Sequence, residues 1–354
     1  MRPHHAAALD KALDTGTVLQ SLVQVEGNSP MRRRAVLWML NAALSVTAVT
    51  GRATLDELLR LGLLDAIEQP EDWDATVVEM QRRLVLAPDA EFGATLGAKL
   101  LMVRQAIADD DAADELRAAA MLSLLYGLWQ GNAGRFPAAI DWYHTAAALA
   151  HESTDPATET YVLGRAASRG VYEGMSRQEV SDTAKRALAV TNKPTLGRLE
   201  ARSALAGVAA MIGDNKAGRD QVNEMRELAD RLPDDGPTGA YPRTANFHIF
   251  VEARTGDPAS AERAQAEAEV ALARTPLWLA ESRIYYALSM ARAGYVRGAA
   301  TFALDAIQTV PWSVHTLAMA ASDVLTAIPR SDRSDEVMEL RRHASAVPGP
   351  WETL

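Results

Sequence analysis

Arginine is the residue type in this chain best placed to do chemistry. Arg165, Arg169, Arg243, Arg254 and Arg292, with Asn132, Asn246 and Phe250, fall on the first helices of successive predicted helix pairs, and the pattern sets them on one concave face. A guanidinium offers a planar fork of donors that matches a carboxylate or peptide carbonyls. An amide adds a donor and an acceptor, and a phenyl ring fills an apolar pocket. A groove lined this way suits a peptide, a small signalling molecule or a partner protein. Its bland counterpart is a solvated face, since exposed arginines are common. The cluster stands out because the whole chain is acidic, with a formal net charge of -10 over 354 residues.

The remaining reactive residue types are not spaced for familiar catalysis. The sequence lacks the glycine-rich phosphate loops, the Gly-x-Ser-x-Gly elbow and the His-Glu-x-x-His helix, so no catalytic residue is assigned and the chain is expected not to be an enzyme. There is no cysteine, which removes thiolate nucleophiles, disulfides and thiolate zinc sites and suits a cytoplasmic protein. His4 and His5 are adjacent instead of one helical turn apart and the other histidines are scattered, so neither a metal site nor a cofactor is expected. Asp109, Asp110 and Asp111, with Asp114 and Glu115, either attract a cation or lend favourable charge to the start of the following helix. Trp129, Trp142 and Tyr143 read as an aromatic cage or as inter-repeat packing. The acidic balance argues against direct binding of nucleic acid by this chain.

The elements that must carry these residues are helices. Leu9, Leu13, Val18, Leu19 and Leu22 recur at helical spacing, a longer helix is predicted over 31–49, and Thr54 with Glu57 forms a capping box for the next. Prolines from Pro70 to Pro329 fall at intervals near predicted helix starts and ends. No stretch alternates with a period of two. Residues 232–242 read as the longest loop and a candidate hinge. Arg32, Arg33 and Arg34 before the apolar run 35–49 imitate a twin-arginine export signal, but the run starts late, contains Asn41 and is short for a membrane span, so no membrane partner is expected.

A repeat organises the chain from about residue 120 onward. Gly127, the turn Gly134-Arg135-Phe136, and then Ala139, Tyr143 and Ala146 form one unit; degraded copies return at Gly213-Asp214, at Gly256-Asp257 with Ala261 and Ala268, and at Gly294-Tyr295 with Ala299 and Ala306. Gly164 and residues 176–187, opened by Ser176 and Glu179 as a capping box, supply the missing copy between the first two. The order resembles a tetratricopeptide repeat. Each pair leaves an apolar stripe that only a neighbouring pair covers, so the pairs must stack. The expected fold is all-α, a TPR-like α-solenoid of antiparallel helix pairs in a right-handed superhelix. Five pairs over 120–311 and a terminal pair over 314–343 make up a repeat domain at 111–354, after a helical connecting or docking region at 1–110.

The segment 5–19, with Leu9-Asp10 and Ala12-Leu13, the arginine-rich segment 31–37 and the block 127–187 together resemble actinobacterial helix-turn-helix transcriptional regulators with TPR-like carboxyl-terminal domains. The resemblance covers the part after the helix-turn-helix and implies a sensory or dimerising role in transcription regulation, with a homodimer among the expected assemblies. It carries no DNA-reading residue onto this chain. A passive interaction scaffold without a small ligand is the competing expectation.

Overall fold

The computed structural model describes residues 72–86, 92–107, 112–233, 236–310 and 315–345. The predicted helices before residue 72, Asp109 to Asp111, and His4 and His5 lie outside them. Among the described residues there are fourteen α-helices, one 3-10 turn and no strand. No helix among them is long and apolar enough to cross a membrane. The chain divides into two compact units, residues 1–72 with 89–105 and residues 73–88 with 106–354. In the first, helix α2 (Phe92–Ala106) buries Phe92, Leu96 and Val103 at helical spacing.

The second unit holds α1 (Trp73–Leu86) and six antiparallel hairpins: α3 (Ala113–Asn132) with α4 (Phe136–Glu152), α5 (Pro156–Gly170) with α6 (Arg177–Val190), α7 (Leu196–Met211) with α8 (Asn215–Ala229), α9 (Ala240–Thr255) with α10 (Pro258–Ala271), α11 (Pro276–Arg292) with α12 (Val296–Gln308), and α13 (His315–Thr326) with α14 (Asp335–Ser345). Local chemistry fixes their ends. Asp155, Ser176, Thr195, Asp214 and Asp257 each accept a backbone N–H of the first turn, satisfying donors that have no partner within the helix. Proline stands in the first turn of α4, α5, α10 and α11, where its missing N–H costs nothing.

Burial separates the two helices of each hairpin. The second helices carry one narrow stripe: Phe136, Ala139, Tyr143, Ala146 and Ala150 in α4, or Gly218, Val222, Met225 and Leu228 in α8. The first helices are buried on most sides, as α7 shows with Leu199, Ala201, Ala204, Ala206, Ala209 and Ala210. An amphipathic helix faces one neighbour, whereas a helix apolar nearly all round lies inside. Accordingly α3, α5, α7, α9, α11 and α13 form an inner row in which each touches the next, with the second helices outside. The row returns on itself, because α13 also contacts α3. At that seam the His315 imidazole meets the Phe136 ring edge-on at 4.8 Å.

Gly164 lies within α5, where an added Cβ would stand 2.2 Å from the Gly197 carbonyl oxygen of α7. The turn of that hairpin is made by Gly174, at φ 92°, which stands 40 residues after Gly134 and 39 before Gly213. The loop 232–242 is shorter than expected, since a 3-10 turn (Gly236–Thr238) leads directly into α9 and Pro242 is already helical. Arg243 Nε donates to the Thr238 carbonyl at 2.8 Å and ties the connection down. Asp234 and Asp235 lie outside the described residues.

Candidate ligand-binding face

Inner helices present side chains towards one another, and here many of those side chains are charged. The C-terminal end of α5 holds the first group. Arg169 donates from Nε to Glu173 Oε1 at 2.7 Å and from a terminal nitrogen to Asn132 Oδ1 of α3 at 2.9 Å. The Tyr143 hydroxyl of α4 donates to the other Glu173 oxygen at 2.6 Å. Glu173 is wholly buried, and its carboxylate lies so close to Gly131 that a Cβ there would come within 2.1 Å of Oε1. Burial pushes the Glu173 carboxyl above its ordinary value, and Arg169 with the Tyr143 hydroxyl only partly opposes that.

Glu200 of α7 is the centre of the second group. It accepts from Arg165 of α5 at 3.2 and 3.3 Å and from the Ser168 hydroxyl at 2.7 Å, and it pairs directly with Arg243 of α9. Burial works to raise this carboxyl as well, but the two guanidiniums outweigh burial and hold it below the usual 4.5. Arg243 also lies 5.1 Å over the Trp278 ring of α11. In the third group Arg254 of α9 pairs with Asp323 of α13 and stacks 3.7 Å over Phe250, whose ring meets Tyr285 of α11 edge-on at 5.1 Å.

The structure thus brings Asn132, Arg165, Arg169, Arg243, Asn246, Phe250 and Arg254 to the inner row. Arg292 stands apart: it is exposed and donates to the Ala253 carbonyl at 2.8 Å, in the last turn of α9. The sequence reading foresaw the arginines but missed their acids. Glu173, Glu200 and Asp323 mean that the inner arginines are committed to carboxylates of this same chain, and Glu281 is a further buried acid on the row. A signal was there: Glu200 and Glu281 are lone acids among Leu199, Ala201, Ala280 and Ser282, where a solvated charge is out of place.

Other candidates separate from this face. Trp129 and Trp142 are half-buried and flank Tyr126, at 5.3 and 4.7 Å, while Tyr143 turns inward to Glu173; the three do not form a cage. Asp114 and Glu115 occupy the first turn of α3, and Arg117 bridges to Asp74 of α1 at 2.9 Å. An open cleft of about 420 Å³ lies between α4 and α6, with His144 at its rim 3.4 Å from Glu179. Among the described residues no group of three or more metal-ligating side chains gathers.

The seam carries a pH dependence. Burial, and after it the charge of Arg169, holds the His315 imidazole below 6.5. The unfolded chain therefore takes up this proton first as pH falls. The stability linked to neutral His315 is complete above pH 6.5 and is lost as pH drops through the lower folded value. Urea unfolding across pH 5 to 8 is expected to show the wild-type advantage over His315→Asn shrinking only below about 6.5. A pH-independent difference between the two would remove His315 as the group responsible.

Comparison with protein-family models, with curated proteins and with solved structures finds no match to this chain.

Proposed function

We propose that this chain is the sensory part of a transcriptional regulator, a TPR-like repeat module, wound in a right-handed sense, that recognises a ligand on its inner face. One observation supports this reading above others. Charged side chains on α5, α7, α9 and α13, with the Asn132 amide of α3, bridge from one hairpin to another, so a ligand that engages any of them competes with the contacts that set hairpin packing. Binding and shape are then coupled, provided the ligand prefers one arrangement. The turn glycines recur every 38 to 43 residues, longer than the ~34 of a tetratricopeptide unit, so the repeat is TPR-like in order and looser in length. The resemblance to actinobacterial helix-turn-helix regulators supplies the regulatory context.

A panel of peptides and small metabolites, screened by thermal shift against the whole chain, is expected to yield ligands that bind Arg254→Ala at least tenfold more weakly. The same ligands are expected to change amide hydrogen exchange in α3 and α13. Retention of every ligand by the variant, or binding without any change in exchange, overturns the sensor reading; a stable protein partner indifferent to small molecules is then the signature of a scaffold.

A further inference from the structure

Four glutamates are buried on the inner row, and they are not equivalent. Glu252 of α9 accepts from Arg219 at 2.7 Å. Glu173 has Arg169 and Glu200 has both Arg165 and Arg243. Glu281 of α11, 7% exposed, forms no ion pair within 4.0 Å among the described residues. Arg169 and Arg165 act on it only from a distance, and each is neutralised by its own partner. Thr316 of α13 and Asn246 of α9 lie at its carboxylate. Yet the Thr316 hydroxyl and Asn246 Oδ1 are shut from solvent without a well-aligned hydrogen-bond partner. Thr316 itself is only 6% exposed. A buried carboxylate without a cation and unfilled acceptors beside it are each costly, and polar groups left so in a packed interior point to something that completes them. Tyr285, one turn along α11, and Tyr172 are near enough to feel the Glu281 charge, with Arg254 over the first ring at 5.2 Å and Arg169 over the second at 5.4 Å.

The chemistry of the missing partner follows from what is already used. An anion finds no free guanidinium among Arg165, Arg169, Arg243 and Arg254, since each is paired. A donor-rich cation finds a carboxylate and two acceptor oxygens. A metal ion finds only one carboxylate. We propose that Glu281, with Asn246 and Thr316, forms a binding site for the primary ammonium group of a small organic cation. This rests on the ligand-sensing reading above and reverses the polarity expected of an arginine-lined groove.

Isothermal titration of the whole chain with propylammonium, putrescine and spermidine tests it, with tetramethylammonium as a cation lacking N–H donors and acetate as an anion. Saturable binding of the primary amines is expected, at least tenfold weaker in Glu281→Gln, with tetramethylammonium at least tenfold weaker on the wild type and acetate silent. Glu281→Gln is isosteric and removes a buried charge, so its melting temperature is expected to match or exceed the wild-type value, and lost binding is not lost folding. No binding of any primary amine, undiminished binding by Glu281→Gln, or equal binding of tetramethylammonium overturns the ammonium site. If other ligands still depend on Arg254 while amines fail, the sensor reading stands and this site does not. If amines bind through Glu281 without altering exchange in α3 and α13, the site stands and the sensor reading does not.

Discussion

Replacing Arg169 by methionine is expected to lower the unfolding free energy by about 3–5 kcal/mol, the range for removing one member of a buried ion pair. The stem packs much as before, so the loss comes from what stays behind. Glu173 keeps the Tyr143 hydroxyl but loses its cation, and Asn132 loses the donor that ties α3 to α5. Protonating Glu173 is the least costly escape, and burial has already moved its carboxyl in that direction. The variant is therefore expected to recover part of its stability as pH falls towards 5. Pairing it with Glu173→Leu is expected to restore part of the loss, because no charge is then orphaned while the buried Tyr143 hydroxyl loses its acceptor. Urea unfolding of both single variants and the double closes the cycle. A single-variant cost under 1 kcal/mol would show that the pair is solvated in practice and contributes only what surface pairs do.

The second large effect is expected where α5 crosses α7. A Cβ on Gly197 would lie 2.4 Å from the Thr160 carbonyl carbon and the Tyr161 nitrogen, and one on Gly164 would lie 2.2 Å from the Gly197 oxygen. All of these obstacles are backbone, so no side chain can swing aside and the two helices must part. Alanine in place of glycine favours a helix by up to about 1 kcal/mol, while overpacking costs about 1–3 or more. The second effect wins at this crossing, so each substitution is expected to destabilise by about 2 kcal/mol. Since one separation of the helices relieves both clashes, the double variant is expected to cost less than the sum. Gly298, exposed and with only the Met290 methyl at 3.4 Å, is the control: alanine there is expected to be neutral or stabilising. A stabilised Gly197→Ala would contradict the close crossing.

These two sites also mark how far the sequence could be read. The hairpins were legible because their ends are written locally, in Asp155, Ser176, Asp214 and Asp257 as caps, in proline at first turns and in glycine at turns with positive φ. Which helices carry the arginines was legible too, because those helices could be located from their ends and periodicity. What those side chains meet was not. Arg254 and Asp323 are 69 residues apart and Arg243 and Glu200 are 43 apart, and no local rule joins such partners. The close crossing at Gly164 was hidden for the same reason: a glycine that serves a turn and one that admits a neighbouring backbone look alike until the neighbour is known.

The contact between α13 and α3 bears on how this unit comes apart. In an open array each hairpin leans only on its neighbours, the terminal ones fray first, and repeats can be added or lost at little cost. Here the terminal hairpins hold each other through Phe136 and His315. Loss of either exposes the other, so unfolding is expected to be all-or-none instead of progressive from the ends. The same closure restricts how the chain can change over time, since inserting or deleting one hairpin would leave the seam unmatched. It also makes folding slower, because α13 must find α3 across about two hundred residues, and that loop entropy is lost before the contact is gained.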